Sequence, residues 1–318
     1  MPIVSKQPAV RIGSRASPLA QAQARQVQAA IAAALAIPPT RMDAEIPVVL
    51  FSTAGDRIQD RRLLEIGGKG LFTEEIEAAL KADDIDCAVH SLKDVPSALP
   101  EGLVIAATPE REDVRDAFVS TAYARFEDLP QGARLGTASL RRQAQALHRR
   151  PDLELVNLRG NVQTRLAKLE RGEADGILLA YAGLRRLGLD DCVRQLFDPS
   201  EIPTAPGQGA LAIETRLADA NSVWALALDH APTGLLIAAE RGALEALEGS
   251  CRTAVAAHAR LDGGDLRLIV EALTPDGRER FRREARIEGA TRETADTLGR
   301  QLGDEIRAEG GDRLLLQG

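Results

Sequence analysis

Aromatic side chains are scarce. Phe, Trp and Tyr together make up 3% of the 318 residues, so any core has to be assembled from Ala, Leu, Val and Ile. Cysteine is also rare: Cys87, Cys192 and Cys251 are far apart and odd in number, which excludes a disulfide framework and a paired-cysteine zinc site. His90, His148, His230 and His258 are equally scattered and give no metal-ligand spacing. No metal is expected. The longest Ala-rich apolar run, Ala29–Ile37, falls far short of the ~20 residues that cross a bilayer. Met1–Val10 lacks the cationic start and apolar core of a secretory signal. A soluble protein of the cytoplasm, without membrane association, is therefore expected.

What is present is ordinary in bulk. Hydrophobic residues are 44% and charged residues 27%, and 40 Lys+Arg against 47 Asp+Glu give a net charge of −7. That balance argues against nucleic-acid binding through an overall field, and the length suits two or three domains. As far as about residue 215, short apolar runs alternate with helical periods. Strands are predicted at Val10–Gly13, Glu45–Phe51, Ile85–His90, Leu103–Ala107, Ala117–Ser120, Arg134–Thr137, Leu153–Leu158 and Gly176–Ala180. Helices fit at Leu71–Ala82, Ser139–Arg149 and Asn161–Arg171. Ser17-Pro18 offers an N-cap and a first-turn proline for a long helix through Leu35. This alternation indicates α/β layers with largely parallel sheets.

The last portion differs. A helix over Gly234–Glu248 precedes strands at Ala254–Arg260, Leu266–Leu273 and Arg280–Ile287, with a Thr274-Pro275-Asp276-Gly277 turn and a closing helix over Glu293–Arg307. Strands in succession followed by a helix predict a small α+β domain. No internal repeat is visible.

Charge is unevenly placed. Arg134–Arg171 holds nine basic residues against three acidic ones, a basic island in an acidic chain. A solvated helix face would account for single arginines, but Arg141 and Arg159 fall at strand–helix junctions. Those junctions, Gly136-Thr137-Ala138-Ser139-Leu140-Arg141-Arg142 and Leu158-Arg159-Gly160-Asn161, have the makings of anion cradles. Small residues open the N–H groups at a helix N-terminus, and guanidinium forks suit carboxylate or phosphate. Gly13-Ser14-Arg15-Ala16-Ser17 repeats the arrangement, and Gly67-Gly68-Lys69-Gly70 adds a lysine-bearing loop. The glycine spacing matches neither a Walker loop nor a dinucleotide fingerprint. Together the junctions predict a cleft for a polyanion. Nucleic acid fits poorly, because no Phe, Tyr or Trp between Phe126 and Tyr181 is available for bases to stack on.

Two further residues offer chemistry. Asp94, in His90-Ser91-Leu92-Lys93-Asp94-Val95-Pro96, is either a turn residue or a functional carboxylate at a strand's carboxyl end. Cys251, in Glu248-Gly249-Ser250-Cys251-Arg252, is either a small buried hydrophobe or an accessible thiol beside an arginine.

In their order along nearly the whole chain, these segments resemble the porphobilinogen deaminase (hydroxymethylbilane synthase) family. The resemblance is carried by Arg11–Arg15, Gly67–Phe72, Ala88–Pro96, Arg111-Glu112-Asp113, Gly136–Arg142, Leu158–Val162, Pro206-Gly207-Gln208-Gly209 and the Cys251 loop, and is looser after about residue 260. It implies two periplasmic-binding-protein-like α/β domains with a cleft between them, plus a small α+β C-terminal domain. The implied limits are 1–108 with 204–229, 109–203, and 230–318. It also implies an activity, the deaminative condensation of four porphobilinogens and hydrolytic release of the linear tetrapyrrole hydroxymethylbilane, in porphyrin and haem biosynthesis.

By the same resemblance, a dipyrromethane cofactor is held by a thioether to Cys251, and Asp94 is catalytic. Lys93, Thr137, Ser139, Arg141, Arg142, Arg165 and Gln208 match the family's cofactor contacts. Arg15, Ser17, Lys69, Phe72 and Arg159 match its substrate side. The implied partners are porphobilinogen and the growing polypyrrole chain, bound to a monomer. Each pyrrole brings an acetate and a propionate, and carboxylates gathered in a partly dry cleft need guanidinium partners. The Arg57–Gly70 loop is expected to cover that cleft. Glu65 stands where some relatives have Lys, Ala138 replaces a common Ser, and Ser250 a common Gly. Two rivals remain open. A non-catalytic two-domain carboxylate-binding protein would need neither Asp94 nor Cys251, and a phosphoryl-ligand transferase has no metal or nucleotide motif here.

Overall fold

The computed structural model describes residues 8–57, 70–247 and 253–315. Lys69, Cys251, Glu65, Ser250 and most of the Arg57–Gly70 loop lie outside the described residues. The chain begins with β1 (Ile12–Arg15), α1 (Pro18–Ala34), α2 (Pro39–Glu45), β2 (Val48–Phe51), α3 (Ala54–Arg57), α4 (Glu74–Lys81), β3 (Cys87–Ser91) and β4 (Leu103–Ala107). There follow β5 (Asp116–Val119), β6 (Arg134–Gly136), α5 (Leu140–Arg149), β7 (Glu154–Val156), α6 (Val162–Glu170), β8 (Gly176–Ala180), α7 (Tyr181–Arg186) and β9 (Val193–Leu196). The remainder is β10 (Leu211–Arg216), α8 (Val223–Leu228), α9 (Ala231–Ala246), β11 (Ala254–Asp262), β12 (Asp265–Leu273), β13 (Arg280–Ile287) and α10 (Arg292–Gly310).

The described residues fall into two units. One comprises 8–57, 70–110 and 210–231, the other 111–209 and those from 232 onward. The first holds a sheet of order β2-β1-β3-β10-β4, the second a sheet of order β7-β6-β8-β5-β9. In each, the first parallel strand lies between the second and the third. In each, one antiparallel strand separates the third from the last. That antiparallel strand, β5 or β10, is the one laid down as the chain enters the unit from the other. The expectation of largely parallel sheets is thus corrected to mixed ones, since apolar periodicity carries no information on strand direction.

Local signals explain the elements that position the site. Ser17 caps α1, accepting the Ala20 N–H, and Pro18 opens the helix. Ala24, Val27 and Ile31 form its inward face and pack with Ile12, Val89 and Ile213. The few phenylalanines are concentrated in the second unit, where Phe118, Phe126 and Phe197 meet edge to face at centroid distances of 5.9 and 5.7 Å. The predicted strand over Glu45–Phe51 begins only at Val48, because Pro39 starts α2 and carries it through Glu45. The short strands β9 and β10 were not anticipated.

The C-terminal strands form an antiparallel sheet, β11-β12-β13. The Asp262–Asp265 pair is closed by Gly263-Gly264, with φ of +60° and +96°, a two-residue turn that requires left-handed backbone. Val255, Ala257, Leu268 and Val270 pack against Ala239 and Ala243 of α9 and Leu302 and Ile306 of α10. The opposite face meets α5: Ala254 and Leu273 cluster with Ala144, and Gln145 Nε2 donates to Glu271 Oε1 at 2.9 Å.

A buried ion pair ties α9 to both connecting segments. Arg111 donates to both Glu240 oxygens at 2.8 and 2.9 Å, and Glu240 also accepts the N–H groups of Gly207 and Ala259. Arg111 Nε reaches the Gln208 carbonyl at 2.8 Å. Removing one partner strands the other charge away from water. Glu240→Gln is therefore expected to lose about 3–5 kcal/mol, read as a lower urea midpoint at unchanged slope. A midpoint equal to wild type would show that the pair contributes nothing.

Candidate functional site

The parallel core of each sheet gathers its junctions at one edge. In the second unit, β6 pairs in parallel with β7 and β8, so the chain leaves all three at the carboxyl edge, where α/β folds collect ligands. From β6 the path runs through Thr137 to Ser139, whose Oγ accepts the Arg142 N–H at 3.5 Å and caps α5. From β7 it runs through Arg159 to Asn161, whose Oδ1 accepts the Thr164 N–H at 2.8 Å and caps α6. Each cap satisfies one amide, leaving the rest of the first turn at the positive end of the helix dipole. Gly160 makes the second junction possible. Its φ is +115°, and a Cβ there would meet Thr164 Cγ2 at 2.7 Å. Arg165 Nε donates to the Gly160 carbonyl at 2.8 Å, and Lys168 Nζ to that of Arg159 at 3.2 Å. Three cationic side chains thus surround the start of α6, Arg159 among them as a buried residue.

Arg141 and Arg142 are held from behind by one carboxylate. Asp116 Oδ2 accepts from Arg141 Nη1 at 2.7 Å. Its Oδ1 accepts from Arg142 Nη2 at 2.7 Å and Nε at 3.1 Å, and from Gln208 Nε2 at 2.8 Å. Burial opposes ionisation of Asp116, yet the two guanidiniums hold it far below the usual carboxylate range.

In the first unit, β1 pairs in parallel with β2 and β3, so Arg15, Phe51 and Ser91 end at one edge. Arg15 is gripped by Asp56, with Nε 3.2 Å from Oδ2 and Nη2 on Oδ1, and lies 4.2 Å over the Phe72 ring. Burial opposes the Asp56 charge, but hydrogen bonds from Arg15 and Thr53 overcome it and lower its pKa. Ser17 serves as the α1 cap. After β3 comes a 3-10 turn, Leu92–Asp94, closed by Val95 N–H to the Leu92 carbonyl at 3.1 Å. Leu92 and Val95 are buried while Lys93 and Asp94 are exposed. Apolar anchors on both sides therefore turn the Asp94 carboxylate outward. His90 does not join it; the ring is buried, with Nε2 3.0 Å from Glu214 Oε2.

The carboxyl edge of the first sheet collects Arg15, Ser17, Phe72, Lys93 and Asp94, and that of the second Thr137, Ser139, Arg141, Arg142, Arg159 and Arg165. Gln208 joins the second set through Asp116. Lys69 and Cys251 are not described. The other two cysteines are poor nucleophiles: burial raises the pKa of both the Cys87 and the Cys192 thiols. No group of three or more His, Cys, Asp or Glu suited to a metal occurs among the described residues. Asp56 and Asp116 are the partners that sequence reasoning missed. A usable signal was present at Asp116, an acid opening the apolar run Ala117-Phe118-Val119, which needs a buried cation to be tolerated.

Comparison with known proteins gives a consistent result. A family model described as "Porphobilinogen deaminase, dipyromethane cofactor binding domain" matches residues 10–223, and that of the "Porphobilinogen deaminase, C-terminal domain" matches 235–308. Curated relatives named porphobilinogen deaminase include one from Caulobacter vibrioides, 61% identical over 98% of this chain and 99% of the relative. Another, from Phenylobacterium zucineum, is 60% identical over the same shares. Among solved structures, a periplasmic substrate-binding protein of an ABC transporter from Coxiella burnetii aligns with a TM-score of 0.43 at 15% identity, covering 69% of this chain and 90% of that one. A nutrient-binding protein from Burkholderia cenocepacia, bound to methionine, aligns at 0.41 and 17%, covering 69% and 89%. No helix among the described residues is long and apolar enough to cross a membrane. With both family domains matched in order and relatives of 60% identity or more along nearly its full length, the chain belongs to the porphobilinogen deaminase family.

Proposed function

We propose that this enzyme of tetrapyrrole biosynthesis carries out its family's reaction with Asp94 as catalytic carboxylate and Cys251 as attachment point of the dipyrromethane. It would act as a transferase and a cytoplasmic monomer, on three domains spanning 1–108 with 204–229, 109–203, and 230–318. The observation that carries the reading is the docking of the C-terminal sheet. Ala254, three residues after Cys251, packs with Ala144, and Leu140 in the first turn of α5 lies against the same cluster. The C-terminal domain whose sequence bears Cys251 thus packs on the helix whose first turn carries Arg141 and Arg142.

The residues suit a ligand rich in carboxylates. The α5 and α6 junctions supply hydroxyls, helix N-termini and guanidiniums, and Arg141 Nε is buried without a hydrogen-bond partner. Thr137, Ser139, Arg141, Arg142, Arg165, Gln208 and Lys93 would hold the acetate and propionate groups of the cofactor. When bound, the cofactor supplies a terminal pyrrole carbon as the nucleophile for the first condensation. Arg15, Ser17, Phe72 and Arg159, with Lys69 of the 57–70 loop, would hold the incoming porphobilinogen by its own carboxylates.

Each condensation breaks the aminomethyl C–N bond of porphobilinogen, releases ammonia and leaves a cationic methylene-pyrrole. A C–C bond then forms at that methylene, and the attacked ring carbon loses a proton that the ammonia can accept. Asp94 is suited to both halves of this exchange. Its carboxylate can accept a pyrrole N–H and stabilise the cation as it develops, then relay the departing proton. Lys93 beside it limits repulsion of the substrate's carboxylates.

Intact mass of purified wild type is expected to exceed that of the chain by one dipyrromethane, and Cys251→Ala to show the bare chain. A bare wild type that consumes no porphobilinogen would overturn the reading. Asp94→Asn should keep the added mass and the wild-type melting temperature yet lose about 10²–10⁴-fold in kcat. Unchanged turnover would remove Asp94 from its role.

A further inference from the structure

The charge balance behind α5 leads beyond the contacts themselves. Asp116, Arg141, Arg142 and Gln208 are each no more than 5% exposed. The surroundings of the two arginines are mostly neutral: Arg142 Nη1 donates to the Leu178 carbonyl at 3.1 Å, and Arg141 Nη1 to that of Pro203 at 3.3 Å. Gln145 links Arg141 to the next charge, Glu271, accepting from Arg141 Nη1 at 2.9 Å and donating to Glu271 Oε1 at 2.9 Å. Glu271 in turn lies 3.7 Å from Arg282 Nη1. Arg282 also lies 3.9 Å from Glu284, so three carboxylates face three guanidiniums, and Arg141 and Arg142 share the single acid Asp116.

Two like-charged guanidiniums side by side repel each other. With no carboxylate between them they would separate, or one would turn out to water. Asp116 prevents both by taking Arg141 on one oxygen and Arg142 on the other. Gln208 completes the arrangement, donating Nε2 to Asp116 Oδ1 while its Oε1 accepts from Arg142 Nη2 at 3.2 Å. The four groups come from β5, the first turn of α5 and the segment before β10, so a single acid aligns three separate stretches of chain.

We propose that Asp116 is a positioning residue, which orients Arg141, Arg142 and Gln208 so that carboxylates of the dipyrromethane meet a preformed receptor. The proposal rests on reading those three residues as cofactor contacts. It makes cofactor loading, rather than the chemistry at Asp94, the property that depends on Asp116. A structural role alone would lower the melting temperature of Asp116 variants and leave the loading of folded protein unchanged.

Asp116→Asn and Gln208→Met are the informative variants, the second removing one hydrogen-bonding member without changing charge. Folded protein of each is compared with wild type by intact mass, for the fraction carrying dipyrromethane, and by circular dichroism for the melting temperature. Asp116→Asn is expected to fall at least fivefold in loaded fraction, its loaded molecules keeping a KM for porphobilinogen within threefold of wild type, and Gln208→Met to fall about twofold in loaded fraction. A loaded wild type beside an equally loaded Asp116→Asn overturns the role of Asp116 alone. If Asp116→Asn does not fold, wild-type loading of Gln208→Met overturns it. A bare wild type overturns the underlying cofactor reading and this inference together.

Discussion

A carboxylate almost sealed from solvent organises the second unit. Taking Asp116 and two arginines out of water costs several kcal/mol for each ion. Charge-assisted hydrogen bonds of about 1.5–3 kcal/mol apiece offset this only when all are made together. Asp116 makes four, to Arg141, Arg142 and Gln208. The geometry is therefore nearly all-or-none: β5, the start of α5 and the segment before β10 must be in place at once. Gln145 extends the demand to Glu271 and so to the C-terminal sheet.

The two five-stranded sheets have the same strand order without any repeat visible in the sequence. Their carboxyl edges nonetheless carry different chemistry. The first displays an acid and a base together, Asp94 and Lys93, on a turn pinned by Leu92 and Val95. The second displays mainly cations and helix N-termini. The first can therefore meet positive charge that appears during a reaction, and the second can hold the standing negative charge of carboxylate substituents. A pure solute binder would have use for the second edge and none for an exposed carboxylate among substrate carboxylates.

What was legible in the sequence was local. Ser17, Ser139 and Asn161 declare helix starts within three residues of themselves, and each is found as an N-cap. The alternation of apolar runs gave most strands and the change of architecture near residue 230. What was not legible depends on contacts between distant segments. The reversed direction of β5 and β10 follows from where the chain enters each unit. The grip of Asp56 on Arg15 joins residues 41 apart, and that of Asp116 on Arg142 joins residues 26 apart. No spacing rule reaches that far, so both arginines read as ligand contacts with nothing behind them.

The basic island shows what such partners change. Its nine cations read as one patch along the chain, but folding sorts them into two classes. Arg134, Arg149, Arg150 and Arg171 are paired with Asp175, Glu201, Asp152 and Glu173, and all but Asp152 of these acids lie outside the island. Such pairs near the surface are worth little to stability, yet they cancel the charge those arginines would project. Arg141 and Arg142 pair instead with the buried Asp116, and Arg159 and the side chains of Arg165 and Lys168 gather about the start of α6. A chain of net charge −7 does little to attract anions from afar, and screening limits any such field to about 8 Å at physiological salt. On the proposed reading, capture of a polycarboxylate depends on contact with these five side chains. Their strength lies in preorganisation by partners behind them rather than in the number of positive charges, which is why one buried acid can matter more to anion binding than four arginines paired near the surface.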